Sequence, residues 1–468
     1  MVNESFFALR RGSGLPPMQS SLTTDPIPPL IRRIAIPASI GFFFNTMFNV
    51  VDTLYGGLIS TQALAALSLS FPVFFIIIAV GNGLATGTTS LIANALGAGD
   101  RNGARLLAAQ GITFGVLVAA ALTLLGLSVS PLLFSILGAS GDYLATCLSY
   151  MNTIFAGAVF FILAYMLNAT LNAQGDTRSF RNFLVTGCFL NIVFDPWLMY
   201  GGLGIPPLGI TGIALATVVI QALGCAYLAR QVFRTGLLFN RSVRDILPRF
   251  GPLREILYQG FPASLNMLTV GVGIFVITYF VGKFGKEAVA AYGVATRVEQ
   301  IVLLPTIGLN IATLTLTAQN NGARLFHRVR ETLTTALRYG AVLMGFGTMA
   351  VFLLARWLMT PFTGDPAVLE AGTSYLRIAA FLFYAYVILY AHVAALQGLK
   401  RPLFALWIGL CRQILAPAAV FSLLTSFGLV GIWWGIFGVN WTAAFITIGY
   451  TRLVLGRIIR ETGRKPAS

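Results

Sequence analysis

Leu64-Ala-Ala-Leu-Ser-Leu-Ser-Phe-Pro-Val-Phe-Phe-Ile-Ile-Ile-Ala-Val80 opens a stretch, 64–92, that holds no charged side chain. Inside lipid only a helix or a closed barrel satisfies its own backbone hydrogen bonds, and about 20 apolar residues of helix cross ~30 Å of hydrocarbon. The stretch is therefore a membrane span. Eleven more can be read on either side of it, at 34–58, 106–129, 143–169, 180–200, 210–233, 257–281, 288–317, 333–355, 371–397, 402–425 and 430–454. Their breaks carry turn residues: Gly97-Ala-Gly-Asp-Arg101, Gly175-Asp-Thr-Arg178, Gly201-Gly-Leu-Gly-Ile-Pro-Pro207 and Gly364-Asp-Pro366. Composition agrees, with 57% hydrophobic residues and 10% charged ones across 468 positions against about 25% charged in soluble domains. A water-soluble globule is excluded.

The net charge of +16 would suggest nucleic acid in a soluble protein, but here topology accounts for it. Loops on the cytoplasmic side of a membrane collect Lys and Arg. With the N-terminus inside, 25 of the 31 basic residues fall on that side; Lys283, Lys286 and Arg356 fall outside, and Arg297, Arg377 and Arg412 within spans. One span more or fewer would destroy this alternation. The reading is an all-α integral membrane protein of 12 transmembrane helices in the inner (plasma) membrane, both termini cytoplasmic. Anionic lipid is the only polyanion implied, and no nucleic acid is. The first 30 residues lack an apolar run with a small-residue cleavage site, so a signal peptide is not expected. Cys147, Cys188, Cys225 and Cys411 sit in apolar runs without a Cys-x-x-Cys pair, which argues for small core residues rather than disulfides or a metal.

The chain repeats itself at an offset of 225. Ile36-Pro37-Ala38-Ser39 aligns with Phe261-Pro262-Ala263-Ser264, Ala63-Leu-Ala-Ala66 with Ala288-Val-Ala-Ala291, Gly83-Leu84 with Gly308-Leu309 and Gly97-Ala98 with Gly322-Ala323. An even number of spans per repeat gives two parallel six-helix repeats, a secondary-transporter architecture with its substrate site between the repeats. The expected organisation is a disordered cytoplasmic arm at 1–33, an N-lobe at 34–233, a basic linker at 234–256, a C-lobe at 257–455 and a tail at 456–468. No Gly-x-x-x-x-Gly-Lys-Ser/Thr motif or other cofactor motif occurs. An ATP-driven pump is not indicated.

Charge inside the bilayer is costly and points to function. Asp52, Asp195 and Glu299 are the acidic residues well inside spans. Asn45, Asn49 and Asp52 share one face of the first span by their spacing, as Asn191 and Asp195 do on the fifth. Tyr150 and Asn168, 18 residues or five helical turns apart, share a face of the fourth. The second half lacks this pattern, since Ile277 and Val270 stand at the positions equivalent to Asp52 and Asn45. Two neighbouring buried carboxyls suit a proton relay, with Na+ as the competing ion. Glu299 and Arg412 both fall near mid-span and are expected to form a structural ion pair.

Pro37, Asp52-Thr-x-x-x-Gly57, Ala63-Leu-Ala-Ala66, Gly87, Gly97-Ala-Gly-Asp100 and Gln319-Asn320-x-Gly-Ala323, together with Asn191-Ile-Val-Phe-Asp195-Pro196, resemble the multidrug and toxic compound extrusion (MATE) family, in its DinF-type and archaeal branch. The likeness runs from about 30 to 455. It implies two lobes around a V-shaped cleft and export of organic compounds against inward H+ or Na+. It implies that Asp52, Tyr150, Asn168, Asn191 and Asp195 form the N-lobe cation and substrate pocket. Val270 stands near the point where Na+-coupled members carry an acidic residue, which favours protons.

The expected substrates are small, cationic or amphipathic organic compounds, met by Asn45, Asn49, Asp52 and Asp195 and by Tyr384 and Tyr390 of the aromatic tenth span. The exporter is expected to be a monomer in the lipid bilayer, with no metal and no bound cofactor, and Pro37 is the expected bending point of the first span. A flippase for lipid-linked oligosaccharides, of related architecture, would use Arg297, Arg377 and Arg412. An intramembrane enzyme lacks a motif: His327 is near a loop, and His392 reads as a satisfied core residue.

Overall fold

The computed structural model describes residues 22–238 and 245–463, and the expectations for the arm before residue 22, for 239–244 and for the tail beyond 463 lie outside them. Twelve helices follow one another: α1 (Ile27–Ile59), α2 (Thr61–Gly97), α3 (Arg101–Ile136), α4 (Gly141–Ala156 and Ala158–Asn172), α5 (Arg178–Tyr200), α6 (Ile210–Arg234), α7 (Phe250–Gly282), α8 (Lys286–Gly322), α9 (Phe326–Met359), α10 (Pro366–Ala379 and Phe383–Gly398), α11 (Leu403–Leu410, a π-helical Cys411–Leu415, and Ala416–Leu424) and α12 (Gly428–Gly463). The last two form an apolar run of 59 residues. As one helix it would be ~88 Å long, nearly three times the hydrocarbon thickness. Gly428, at φ +75°, reverses the chain there.

Most helices outrun the expected spans because they continue past the hydrocarbon. α1 starts at Ile27 with proline in its first turn, where the missing N–H costs nothing. Leu22, Ile27, Leu30, Ile31 and Ile34 are buried against Leu309, Ala312 and Leu316 of α8. Residues 22–33 are therefore ordered, contrary to the expected disorder of the whole arm. α4 bends by 44° at Gly157, so it is not the straight helix that placed Tyr150 and Asn168 on one face. Cys147, Cys188 and Cys225 are buried as expected, but Cys411 is exposed.

The two halves interlock through their first helices. α7 lies along α2, and α1 lies along α8. Without a hydrophobic force between helices in lipid, close packing of small residues holds such crossings. Gly87 faces the backbone of Gln259 and Gly260, and Gly83 faces Ser264; at the equivalent crossing, Gly308 faces Ala35 and Ser39. The outer surface carries Leu124, Leu125, Ile136, Leu353 and Phe346 at more than 60% exposure, a surface that suits lipid and not water.

A Cβ at residue 87 would lie 2.5 Å from the Gly260 nitrogen, so Gly87→Val must push α2 off α7. Overpacking of this kind costs about 1 to 3 kcal/mol, and the melting temperature in detergent is expected to fall. An unchanged melting curve would contradict the crossing.

Candidate functional site

The N-terminal half gathers its polar residues where α1, α5 and α6 meet. Asp52 is 8% exposed, while Asn191 and Asp195 are fully buried. The Asn191 side-chain amide donates to Asp52 Oδ1 at 2.9 Å. The Asp52 and Asp195 carboxyls lie within hydrogen-bonding reach of one another, and the Thr217 hydroxyl of α6 faces Asp52. Neither Asp195 oxygen accepts a hydrogen bond of normal geometry, nor does Asn191 Oδ1, although the Asn191 amide stands near Asp195 as well as Asp52. An ionised carboxylate only accepts. Two of them pressed together in a dry site would repel, whereas a proton between them supplies the missing donor.

A cavity opens beside this cluster, lined by Asn45, Asn49 and Asp52 of α1, Phe74 of α2, Tyr165 of α4, Phe183 of α5, and Thr217 and Gln221 of α6. Its 60 Å³ of room for water centres is several times the ~10 to 15 Å³ one water needs. Asp52 thus has one side on the cavity and the other on Asp195. Asp195 is not part of the cavity wall, so the expected shared cavity is corrected to a chain: cavity, Asp52, Asp195.

The remaining expected residues divide. Tyr150 is buried and within electrostatic reach of Asp52 and Asp195. Asn168 is buried too; it lies one turn beyond Tyr165, outside the cavity wall, and its Oδ1 has no partner. Tyr384 and Tyr390 sit on α10 of the other half; Tyr390 stacks on Tyr386 at 6.1 Å, and neither lines the cavity. α1 continues unbroken through Pro37.

Sequence reasoning missed Thr217 and Gln221. Their spacing of four on an apolar helix was the available signal.

In the C-terminal half Glu299 and Arg412 are both buried, but they do not form the expected direct ion pair. Tyr375 donates its hydroxyl to Glu299 Oε2 at 2.8 Å, and Arg412 Nη1 donates to Asn440 Oδ1 at 2.7 Å. Tyr386 stands between them, within hydrogen-bonding reach of Glu299 and with the Arg412 guanidinium 5.7 Å from its ring. The π-helical turn Cys411–Leu415 sets Arg412 toward this cluster. Arg377 lies over Phe352 at 6.0 Å and Arg297 is exposed, so the three arginines do not share one pocket. His392 is buried with Nδ1 on the Ile388 carbonyl at 2.8 Å.

Comparison with known proteins places this geometry among transporters. The MatE family model matches twice, over residues 37–197 and 262–421, and the two matches begin at Pro37 and Pro262, the offset of the internal repeat. An FAD transporter of Shewanella oneidensis is 27% identical over 84% of this chain and 87% of its own length. A probable multidrug resistance protein NorM of Thermotoga maritima is 27% identical over 86% and 88%. Among solved structures, a MOP superfamily transporter from Pyrococcus furiosus superposes with a TM-score of 0.88 at 26% identity, covering 95% of this chain and 99% of that one. A MATE crystal structure in the bent conformation gives 0.89 at 25%, covering 96% and 100%.

The C-terminal cluster generates a stability test. Glu299→Gln keeps an acceptor for Tyr375, while Arg412→Met leaves Asn440 Oδ1 without its donor. The arginine variant is expected to lose about 1 to 3 kcal/mol and the glutamine variant less, read as melting temperatures in detergent. A larger loss for Glu299→Gln, on the ~3 to 5 kcal/mol scale of a broken buried pair, would restore the direct ion pair.

Proposed function

This chain belongs to the MatE family, and on that footing we propose that it is a secondary exporter of small organic compounds, driven by protons entering through Asp52 and Asp195. It sits in the plasma membrane as a monomer, with its basic loops and both termini in the cytoplasm. The observation that carries the proton reading is the pair of buried Asp195 oxygens that accept no hydrogen bond of normal geometry, set against Asp52. A single proton accounts for that arrangement and makes the pair a carrier of one positive charge.

The cavity indicates the other half of the exchange. Asn45, Asn49 and Gln221 offer donors and acceptors, Phe74, Tyr165 and Phe183 offer ring faces, and Asp52 is the one carboxyl among the lining residues. That combination suits an amphipathic, aromatic compound carrying positive charge. Since Asp52 faces both the cavity and Asp195, protonation and cation binding compete for the same oxygen. Proton entry from outside would discharge the exported compound, with helix α1 bending at Pro37. One proton moving through 100 mV and one pH unit supplies ~2.3 plus ~1.4 kcal/mol, enough for a roughly 500-fold gradient of a neutral solute.

Sodium is the second reading, and the unpartnered Asn191 Oδ1 favours it. Together with the Asp52 carboxylate and the Thr217 hydroxyl it offers hard oxygen donors. Purified protein in liposomes separates the two when pH and Na+ gradients are imposed one at a time. Efflux of a cationic aromatic dye is expected with the pH gradient alone, and Asp52→Asn and Asp195→Asn are each expected to abolish it without loss of folded protein. Efflux only under a Na+ gradient, or undiminished pH-driven efflux by folded Asp52→Asn, overturns the proton assignment. A flavin nucleotide run beside the dye tests the breadth of the substrate class.

A further inference from the structure

The two halves are joined by side-chain hydrogen bonds that occur in equivalent pairs. Ser90 on α2 donates to the Gln397 carbonyl of α10 at 2.6 Å, and Thr315 on α8 donates to the Asn172 carbonyl of α4 at 3.0 Å. Asn94 donates to the Gly398 carbonyl at 2.9 Å, and Gln319 to the Ala173 carbonyl at 2.7 Å. Deeper in, Ser39 donates to the Pro305 carbonyl at 3.2 Å and Ser264 to the Val80 carbonyl at 3.3 Å. In each pair the two donors are 225 residues apart, and so are the two acceptors. Each half therefore reaches across to carbonyls of the other, and at the C-terminal ends of α4 and α10 the Ala173 and Gly398 carbonyls, which accept no backbone bond, receive a donor from the opposite half.

Glycine makes the approach close enough. A Cβ on Gly97 would overlap the Gln319 carbonyl, and one on its equivalent, Gly322, would overlap the Asn94 carbonyl. Asn321 adds a bond to Asn94 Oδ1 at 2.6 Å. The outermost of these contacts lie beside the loops that bear Arg101, Arg178, Arg324, Lys400 and Arg401. Among the described residues, these side-chain bonds between α1–α6 and α7–α12 run from the middle of the helices to this basic end. The chain ahead of α1 joins the same end, where Arg328 and Asn320 donate to the Leu22 carbonyl and Arg328 to that of Asp25.

We propose that these reciprocal bonds form a two-armed gate that closes the transporter at its basic end, and that the arms, α2 on α10 and α8 on α4, open together. The geometry requires coupling, because each arm joins the same two rigid halves and neither half can swing while the other arm holds. No contact of the gate involves Asp52 or Asp195, so the gate stands whichever ion drives transport. The Gly398 and Ala173 carbonyls accept no backbone bond, so losing the Asn94 or the Gln319 donor leaves a buried acceptor unpaired in the closed state and tips the balance toward the open one.

The test uses the full-length protein with its four native cysteines replaced by alanine and Ala318→Cys as reporter. Ala318 is fully buried in the closed seam against Ile92 and Ala173, and its side chain makes none of the gate bonds. In membrane vesicles with the basic end outward, labelling by a membrane-impermeant maleimide is expected to be slow. Asn94→Ala is expected to accelerate it about tenfold. Gln319→Ala, on the opposite arm, is expected to accelerate it in the same direction, as is Gly322→Ala, whose methyl forces the seam apart. Fast labelling in the Ala318→Cys background alone would mean that the seam is not a closed gate. Acceleration by Asn94→Ala but not by Gln319→Ala or Gly322→Ala would overturn the coupling of the arms. No acceleration by any of the three, in protein that remains monodisperse with an unchanged melting curve, would overturn the gate itself.

Discussion

A peptide group in hydrocarbon has no water to bond, and everything else in this molecule follows from that constraint. It forces each crossing into a helix, and it makes every buried polar side chain an event that requires a partner. It also removes the hydrophobic force that would clamp helices together in water. Cohesion then falls to close packing of small residues, as at Gly87 on Gly260, and to side chains such as Ser39 and Ser264 that reach a carbonyl across the seam.

Under that rule the orphaned oxygens of Asp195 are the most informative atoms in the structure. Elsewhere the buried polar groups are mostly satisfied: Thr170, Thr313 and Thr447 return their hydroxyls to carbonyls one turn back, and His392 does the same with its ring. Asp195 has no such outlet, and its neighbours are another carboxyl and an amide already engaged with it. The arrangement is unfavourable for a static structural element and suits a site whose occupancy by a proton or cation changes during work. The C-terminal cluster is the contrast. There Tyr375 and Asn440 satisfy Glu299 and Arg412 separately, which fits a fixed structural core.

Duplication explains how both characters coexist. The seam between the halves kept the pairing of the repeat, so that donors and acceptors still correspond at an offset of 225. The interiors diverged: Asp52 faces its partner carboxyl in one half, while Ile277 occupies the equivalent position in the other. The seam stayed symmetric in its hydrogen bonds, whereas the pair of buried carboxyls is confined to one lobe.

Sequence alone determined the number of helices, because span length is a property of local composition acted on by the bilayer. It also determined the repeat, and that Asp52, Asn191 and Asp195 belong together, since helical periodicity puts each on an inward polar face. It could not determine what those faces meet. Thr217 and Gln221 of α6 line the cavity beside Asp52, and Asn168 lies one turn past Tyr165, outside its wall. Glu299 and Arg412 had the right depth for a pair, yet Tyr386 came between them. Depth is a one-dimensional quantity that residue counting yields, whereas the rotation of each helix and the bends at Gly157 and Cys411–Leu415 are fixed by packing against neighbours distant in the chain.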